Sequence, residues 1–218
     1  MKFSTIILLI FLNVTNAFAQ NEAGDKAAYL KTITERAAKI VANLQLSDSV
    51  KKEKVTLVIR DQYRNLNEIY QTRDAHLKAI KEKYSDKQER EAALVKENTS
   101  VEAQLIKLHQ QYLKKLTKQL TDQQIAQVKD GMTYGVLPLT YRAYQEQILT
   151  LTDDQKKQIL IWLTEAREKA MDAESAEKKH AWFGKYKGRI NNYLSAAGYD
   201  LKKEGIEWEK RRKAAQAN

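Results

Sequence analysis

Residues 174–199 read ESAEKKHAWFGKYKGRINNYLSAAGY, and no other stretch of the chain gathers aromatic rings, cations, glycines and amides so densely. From residue 178 to 199 there is no acidic side chain, although the chain carries 28 Asp and Glu in all. Trp182 and Tyr186 offer ring faces on which a sugar can stack. Lys185, Lys187 and Arg189 offer charge-assisted hydrogen bonds to an anion, and His180, Asn191 and Asn192 offer uncharged ones. Such a set fits non-catalytic binding of an anionic or carbohydrate-containing partner. Tyr134, from a glycine-containing segment earlier in the chain, is a candidate second wall.

A helical wheel divides the stretch into two faces. Trp182, Phe183, Tyr186, Ile190, Tyr193 and Ala197 share one sector, with Lys178, Lys185 and Arg189 along its edge. Aromatic residues at this spacing fit core packing against the preceding helix, with Trp162 a candidate neighbour, as well as they fit a stacking platform. Gly184, Gly188 and Asn191 follow one another on the other face. Each glycine costs a helix about 0.5–1 kcal/mol relative to alanine, so two on one face call for a reason. Close contact with another helix, a surface opened for a ligand and a break near Gly184 are the three reasons available.

Signs of catalysis are sparse. The three histidines, His76, His109 and His180, have no metal-ligand spacing, there is no cysteine, and no nucleophile motif or phosphate-cradling glycine loop is present. No metal and no cofactor are expected. Glu165, Glu168, Asp172 and Glu174 lie near the patch in sequence; a solvated helix face accounts for all four, and a carboxylate pair of the glycosidase kind needs distances that sequence does not supply. A glycan-active enzyme therefore stays open as an alternative.

The elements that must position these residues are helices. One proline and seven glycines in 218 residues leave little material for turns, and apolar residues recur every three or four positions, which predicts an all-α fold with no sheet. A first helix is expected over 25–44. Ser47 then caps a second, aided by Asp48, which runs to residue 84. Ser85 and Gln88 form a capping-box pattern at a hairpin turn. The third helix returns to Leu116, with 98–100 as a possible interruption. Thr121 with Gln124, and Thr152 with Gln155, are two further capping boxes. Between them, residues 131–138 read as a loop in which Gly131 ends a helix, Gly135 adds freedom and Pro138 blocks immediate resumption. Short helices over 141–149 and 201–213 flank one over 152–171. The expected organisation is one helical domain over 20–218, with a long antiparallel hairpin over about 25–130 and a C-terminal helical cluster over about 131–218.

Residues 1–19 have the form of an export leader: Lys2, an apolar run at 6–12, and Ala17-Phe18-Ala19 as a small-x-small cleavage pattern that would leave Gln20 first. The run is far short of the roughly 20 residues that cross a bilayer, so no membrane span is expected in the mature chain. The expected location is the periplasm or the exterior of a bacterium. Loss of the leader removes Lys2 and no acid, which lowers the net charge of +10 by one. A basic balance favours anionic partners, and export makes nucleic acid the least fitting of them.

Two resemblances add to this. Leu120-Thr121-Asp122-Gln123-Gln124 resembles the Leu-Thr-x-x-Gln motif of periplasmic helical proteins of the Spy and CpxP type, and Leu46 to Val50 sits where that family has another copy, with Val50 in place of Gln. That likeness implies a chaperone-like or stress-adaptor role, with a protein client or self-association. GMTYGVLPLTY at 131–141, REKAMDAESAEKKHAWFGKYKGRINNYLSAAGYDLKK at 167–203 and ITERAAKIVANLQLSD at 33–48 together resemble a family of secreted bacterial proteins known as domain of unknown function 3826. This second resemblance implies a part in polysaccharide utilisation.

Overall fold

The computed structural model describes the backbone of residues 6–216 and the side chains of residues 24–216. Residues 1–5 of the expected leader lie outside the described backbone, and the rest of it outside the described side chains. Among the described residues there are eight helices and no strand: α1 (Ile6–Ala42), α2 (Ser49–Lys83), α3 (Lys87–Thr117), α4 (Asp122–Met132), α5 (Val136–Gln147), α6 (Asp153–Met171), α7 (Ala176–Ala196) and α8 (Leu201–Gln216). None of the described helices is long and apolar enough to cross a membrane. The chain divides into two compact units, residues 1–65 and 66–218, and the division falls inside α2.

In the first unit, Ile33, Ala37, Ile40 and Val41 of α1 and Leu44 in the turn after it are buried, as are Val55 and Ile59 of α2. The Tyr29 hydroxyl donates to the Tyr63 carbonyl at 3.3 Å, and Arg36 lies over the Tyr63 ring. α1 begins at Ile6 rather than at 25. The cap of α2 is Asp48, whose Oδ1 accepts the Val50 and Lys51 amides at 2.8 and 3.2 Å. Ser47, expected in that role, lies one residue too early.

In the second unit, the end of α2 and the start of α3 form the hairpin tip, where His76 Nδ1 meets Glu97 Oε1 at 2.9 Å. The same one-residue correction recurs here: Asp86, not Ser85, caps α3 by accepting the Glu89 amide at 2.9 Å. A carboxylate is a stronger acceptor than a hydroxyl, so of two adjacent candidates the aspartate takes the helix. α3 is unbroken at 98–100, where the Thr99 hydroxyl donates back to the Val95 carbonyl at 3.0 Å. Thr121 and Thr152 form complete capping boxes with Gln124 and Gln155.

The α4–α5 junction departs most from expectation. Gly131 stays within α4, and only Thr133, Tyr134 and Gly135 lie between the helices. Tyr134 and Gly135 are both left-handed, with φ of 59° and 66°, and the Gly135 amide donates to the Asp130 carbonyl at 2.8 Å. Pro138 does not stop a helix; it is the third residue of α5, where its missing N–H would have had no intrahelical acceptor. The turn costs strain at Tyr134, a non-glycine residue in the αL region.

The core of this unit joins Leu137 and Tyr144 of α5, Ile148 just beyond its end, Ile159, Leu163, Ala166 and Ala170 of α6, and Phe183, Ile190 and Leu194 of α7. Trp162 meets Tyr193 edge-on at 5.2 Å and carries Arg189 over its ring at 4.5 Å. Trp182 and Tyr186, expected against the preceding helix, pack half-buried at the margin of this core, which includes Trp162 and its neighbours on α6. The buried Lys179 reaches from α7 to the end of α6, donating to the Ala170 and Met171 carbonyls at 3.1 and 2.9 Å. It thereby supplies donors and positive charge where a helix has free acceptors and a negative dipole end.

α7 runs unbroken through both internal glycines. A Cβ built at Gly184 or Gly188 would meet nothing within 4 Å, so neither glycine admits a neighbouring helix. Close packing against another helix of this chain and a helix break are both overturned as reasons for them. With no steric role to lose, Gly184→Ala and Gly188→Ala are each expected to raise stability by about 0.5–1 kcal/mol in urea unfolding; a loss of stability would mean that the folded protein needs glycine there.

Candidate functional site

The strongest concentration of charge inside the second unit is centred on Glu168 of α6. Lys129 of α4 donates to Glu168 Oε2 at 2.7 Å, and His109 Nε2 of α3 stands 3.5 Å from the same oxygen. Arg167 donates to Asp130 at 2.8 Å and lies 3.5 Å from Glu168 Oε1, which is buried and accepts no hydrogen bond. On its other side His109 places Nδ1 2.6 Å from Asp172 Oδ2. Asp172 caps the C-terminus of α6, and its carbonyl accepts the Tyr70 hydroxyl at 2.7 Å. Arg73, one turn further along α2, lies over the Tyr70 ring at 4.7 Å and is hydrogen-bonded to Asp74 and Glu174.

Proton affinities follow from this packing. The Asp172 hydrogen bond, and after it Glu168, raise the His109 imidazole to about 9 against the opposing effect of burial. Burial pushes Glu168 upward, but hydrogen bonds from His109 and Lys129 and the charges of Lys129 and Arg167 outweigh it and hold the carboxyl at about 2. Burial, then the charges of Glu174 and Asp172, lifts the Tyr70 phenol to about 12. At neutral pH the centre is therefore an imidazolium with a carboxylate at each nitrogen.

Above this cluster opens a cleft of about 530 Å³. Its polar rim includes Tyr70, Arg73, His109, Asp172 and Glu174, its apolar side includes Val101 and Leu105 of α3, and α7 contributes Lys178 and Trp182. Lys185 lies over the Trp182 ring at 5.3 Å. The carboxylates that sequence leaves as solvated helix surface are thus gathered in part around one cavity. The histidine that joins them is His109, not His180. Among the described residues no group of three or more His, Asp or Glu is placed to hold a metal ion; Glu168 is already engaged by cations.

The residues of the 174–199 patch do not form one surface. Trp182 enters the cleft just described. Nine positions later, about two and a half turns at ~3.6 residues per turn, Asn191 lies on the opposite side of α7 and lines another cleft with Lys187. His180 faces neither: it stacks on Tyr134 at 5.5 Å, and its Nδ1 is 2.8 Å from the Ala176 carbonyl. Arg189 pairs with Glu165 at 3.7 Å beside Tyr186, whose phenol burial and Glu165 push upward. Asn192 is exposed. Tyr70, Arg73, Lys129 and His109 were beyond sequence reasoning, since each is ordinary in its own helix and gains meaning only when α2, α3, α4 and α6 meet.

The stability contributed by these two groups has opposite signs with pH. His109 has a raised affinity, so its share is complete below its ordinary value of ~6.5 and is lost as pH climbs towards 9. Glu168 has a lowered one, so its share is complete above ~4.5 and is lost as pH falls towards 2. The His109 imidazole is expected to titrate near 9 by NMR, with stability falling between pH 6.5 and 9; a midpoint near 6.5 would contradict the assignment.

A family model described as a protein of unknown function, DUF3826, matches residues 30–214. The curated proteins compared give no match, so the likeness to the Spy and CpxP proteins rests on the capping motifs alone. The match runs from within α1 to the last turns of α8 and includes the charged cluster, the cleft and both glycines of α7: the chain belongs to the DUF3826 family.

Proposed function

We propose that the protein binds a carbohydrate-containing partner, without chemical conversion, in the cleft walled by Trp182. The observation that carries this reading is the pairing of an indole with hydrogen-bonding charged groups around a cavity of about 530 Å³, a volume that accommodates a short oligosaccharide. Sugars present apolar C–H faces and a rim of hydroxyls, and a ring beside carboxylates and a guanidinium answers both features. The charges around the cleft nearly cancel, with Glu102, Glu168, Asp172 and Glu174 facing Arg73, His109, Lys169 and Lys178. This balance supports a neutral glycan at this position rather than the acidic one that the basic sequence suggests. Binding without catalysis is supported by His109 and Glu168, which neighbouring charges hold as imidazolium and carboxylate on either side of neutral pH. Export to the periplasm or beyond rests on the leader-like residues 1–19.

A glycan array followed by calorimetry on its neutral oligosaccharide hits tests the reading. Trp182→Ala is expected to weaken binding tenfold or more, about 1.4 kcal/mol, and Trp182→Phe to retain most of it. Trp182 is only half-buried, so both variants should keep the wild-type circular dichroism. Equal affinity of wild type and Trp182→Ala would remove the cleft from consideration.

A further inference from the structure

The second cleft, on the other side of α7, has a different character. It measures about 550 Å³ and is lined by residues of α5, α7 and the start of α8, among them Lys187, Asn191 and Lys202, with no acidic side chain in its lining. Its floor carries a built hydrogen-bond arrangement. The buried Tyr144 hydroxyl donates to Asn191 Oδ1 at 2.7 Å, with the Lys187 carbonyl at 3.4 Å. That bond takes one of the two acceptor positions of the Asn191 amide oxygen and turns the amide so that its NH₂ can donate to a ligand. Gln147 is similarly fixed, its side-chain nitrogen donating to the Leu201 carbonyl at 3.2 Å. Of the two carboxylates adjacent in sequence to lining residues, Asp200 is spent on the Lys202 and Lys203 amides at 3.1 and 3.0 Å, where it caps α8, and Glu146 stands 3.9 Å from Arg142.

We propose that this cleft is a binding site for a carboxylate-bearing small molecule of sugar size, a uronic acid or similar sugar acid. Lys187 and Lys202 provide the countercharge, the Asn191 amide donates a hydrogen bond, and Leu139 and Ala143 form the apolar wall. The lining favours a carboxylate over a phosphate. It has no arginine to grip a phosphate in bidentate fashion, and the α8 amides that would otherwise receive one are capped by Asp200. Two lysines and a single amide match a singly charged group on a body with carbon surface. This site does not rest on the Trp182 cleft, and the tests of the two are independent.

Titration of the ¹⁵N-labelled chain with glucuronate, glucose and inorganic phosphate, followed by NMR, tests the assignment. Glucuronate is expected to shift the amide resonances of Lys187, Asn191 and Lys202 saturably, and added salt to weaken the binding. Lys187→Gln/Lys202→Gln should lose at least tenfold in affinity, and Trp182→Ala should lose none. Both lysines are exposed, so the double variant should fold. The proposal is overturned if glucuronate leaves these resonances unmoved, if the double variant binds as well as wild type, or if glucose or phosphate binds as tightly as glucuronate.

Discussion

One carboxylate ties α3 and α4 to α6. Glu168 takes a hydrogen bond from Lys129 of α4, stands beside the His109 imidazolium of α3, and lies against Arg167, which is itself bound to Asp130. In a partly buried setting these contacts are stronger than surface pairs, and removing any one partner would leave a charge with insufficient compensation. The arrangement also fixes positions one step away. His109 holds Asp172 at the end of α6, Asp172 receives Tyr70, and Arg73 lies on the Tyr70 ring. The walls of the Trp182 cleft are set by this chain of contacts and not by loop geometry.

α7 is placed from the same helix end. Lys179 closes the last carbonyls of α6, Ser175 starts α7 by accepting the Lys178 amide, and Phe183, Ile190 and Leu194 bury the inner stripe. What remains is divided between two sides of one helix. The Trp182 side meets a cleft with balanced charge; the Lys187 and Asn191 side meets one with only positive charge. The acid-free segment, which in sequence looks like one basic surface, is therefore two environments, because acids from α3, from α6 and from the turn after α6 neutralise one side of it.

The helices were legible because their ends are written in short-range chemistry: Thr121 with Gln124 and Thr152 with Gln155 need only each other. Helix ends are less legible where two local solutions compete. Ser47 and Asp48, or Ser85 and Asp86, differ by one residue, and the stronger acceptor decides. Pro138 reads as a stop but is equally at home in a first turn. The cleft was legible only in part. Trp182 was found from its ring and neighbours, but His109, Tyr70 and Arg73 are brought to Asp172 and Glu174 across 63 to 102 residues of chain. No spacing rule reaches that far. The two glycines of α7 still have no account in the fold, since open space surrounds both.

The central claim is that Trp182 is a ligand surface and not merely the margin of a core. The chain has three tryptophans, and each gives one indole N–H signal. The most direct measurement is to follow these three signals by ¹H–¹⁵N NMR while short neutral oligosaccharides are added. The account predicts that one of them moves the Trp182 signal saturably and leaves those of Trp162 and Trp208 in place. If every neutral oligosaccharide leaves Trp182 unmoved, or shifts Trp208 instead, the Trp182 cleft is not the site.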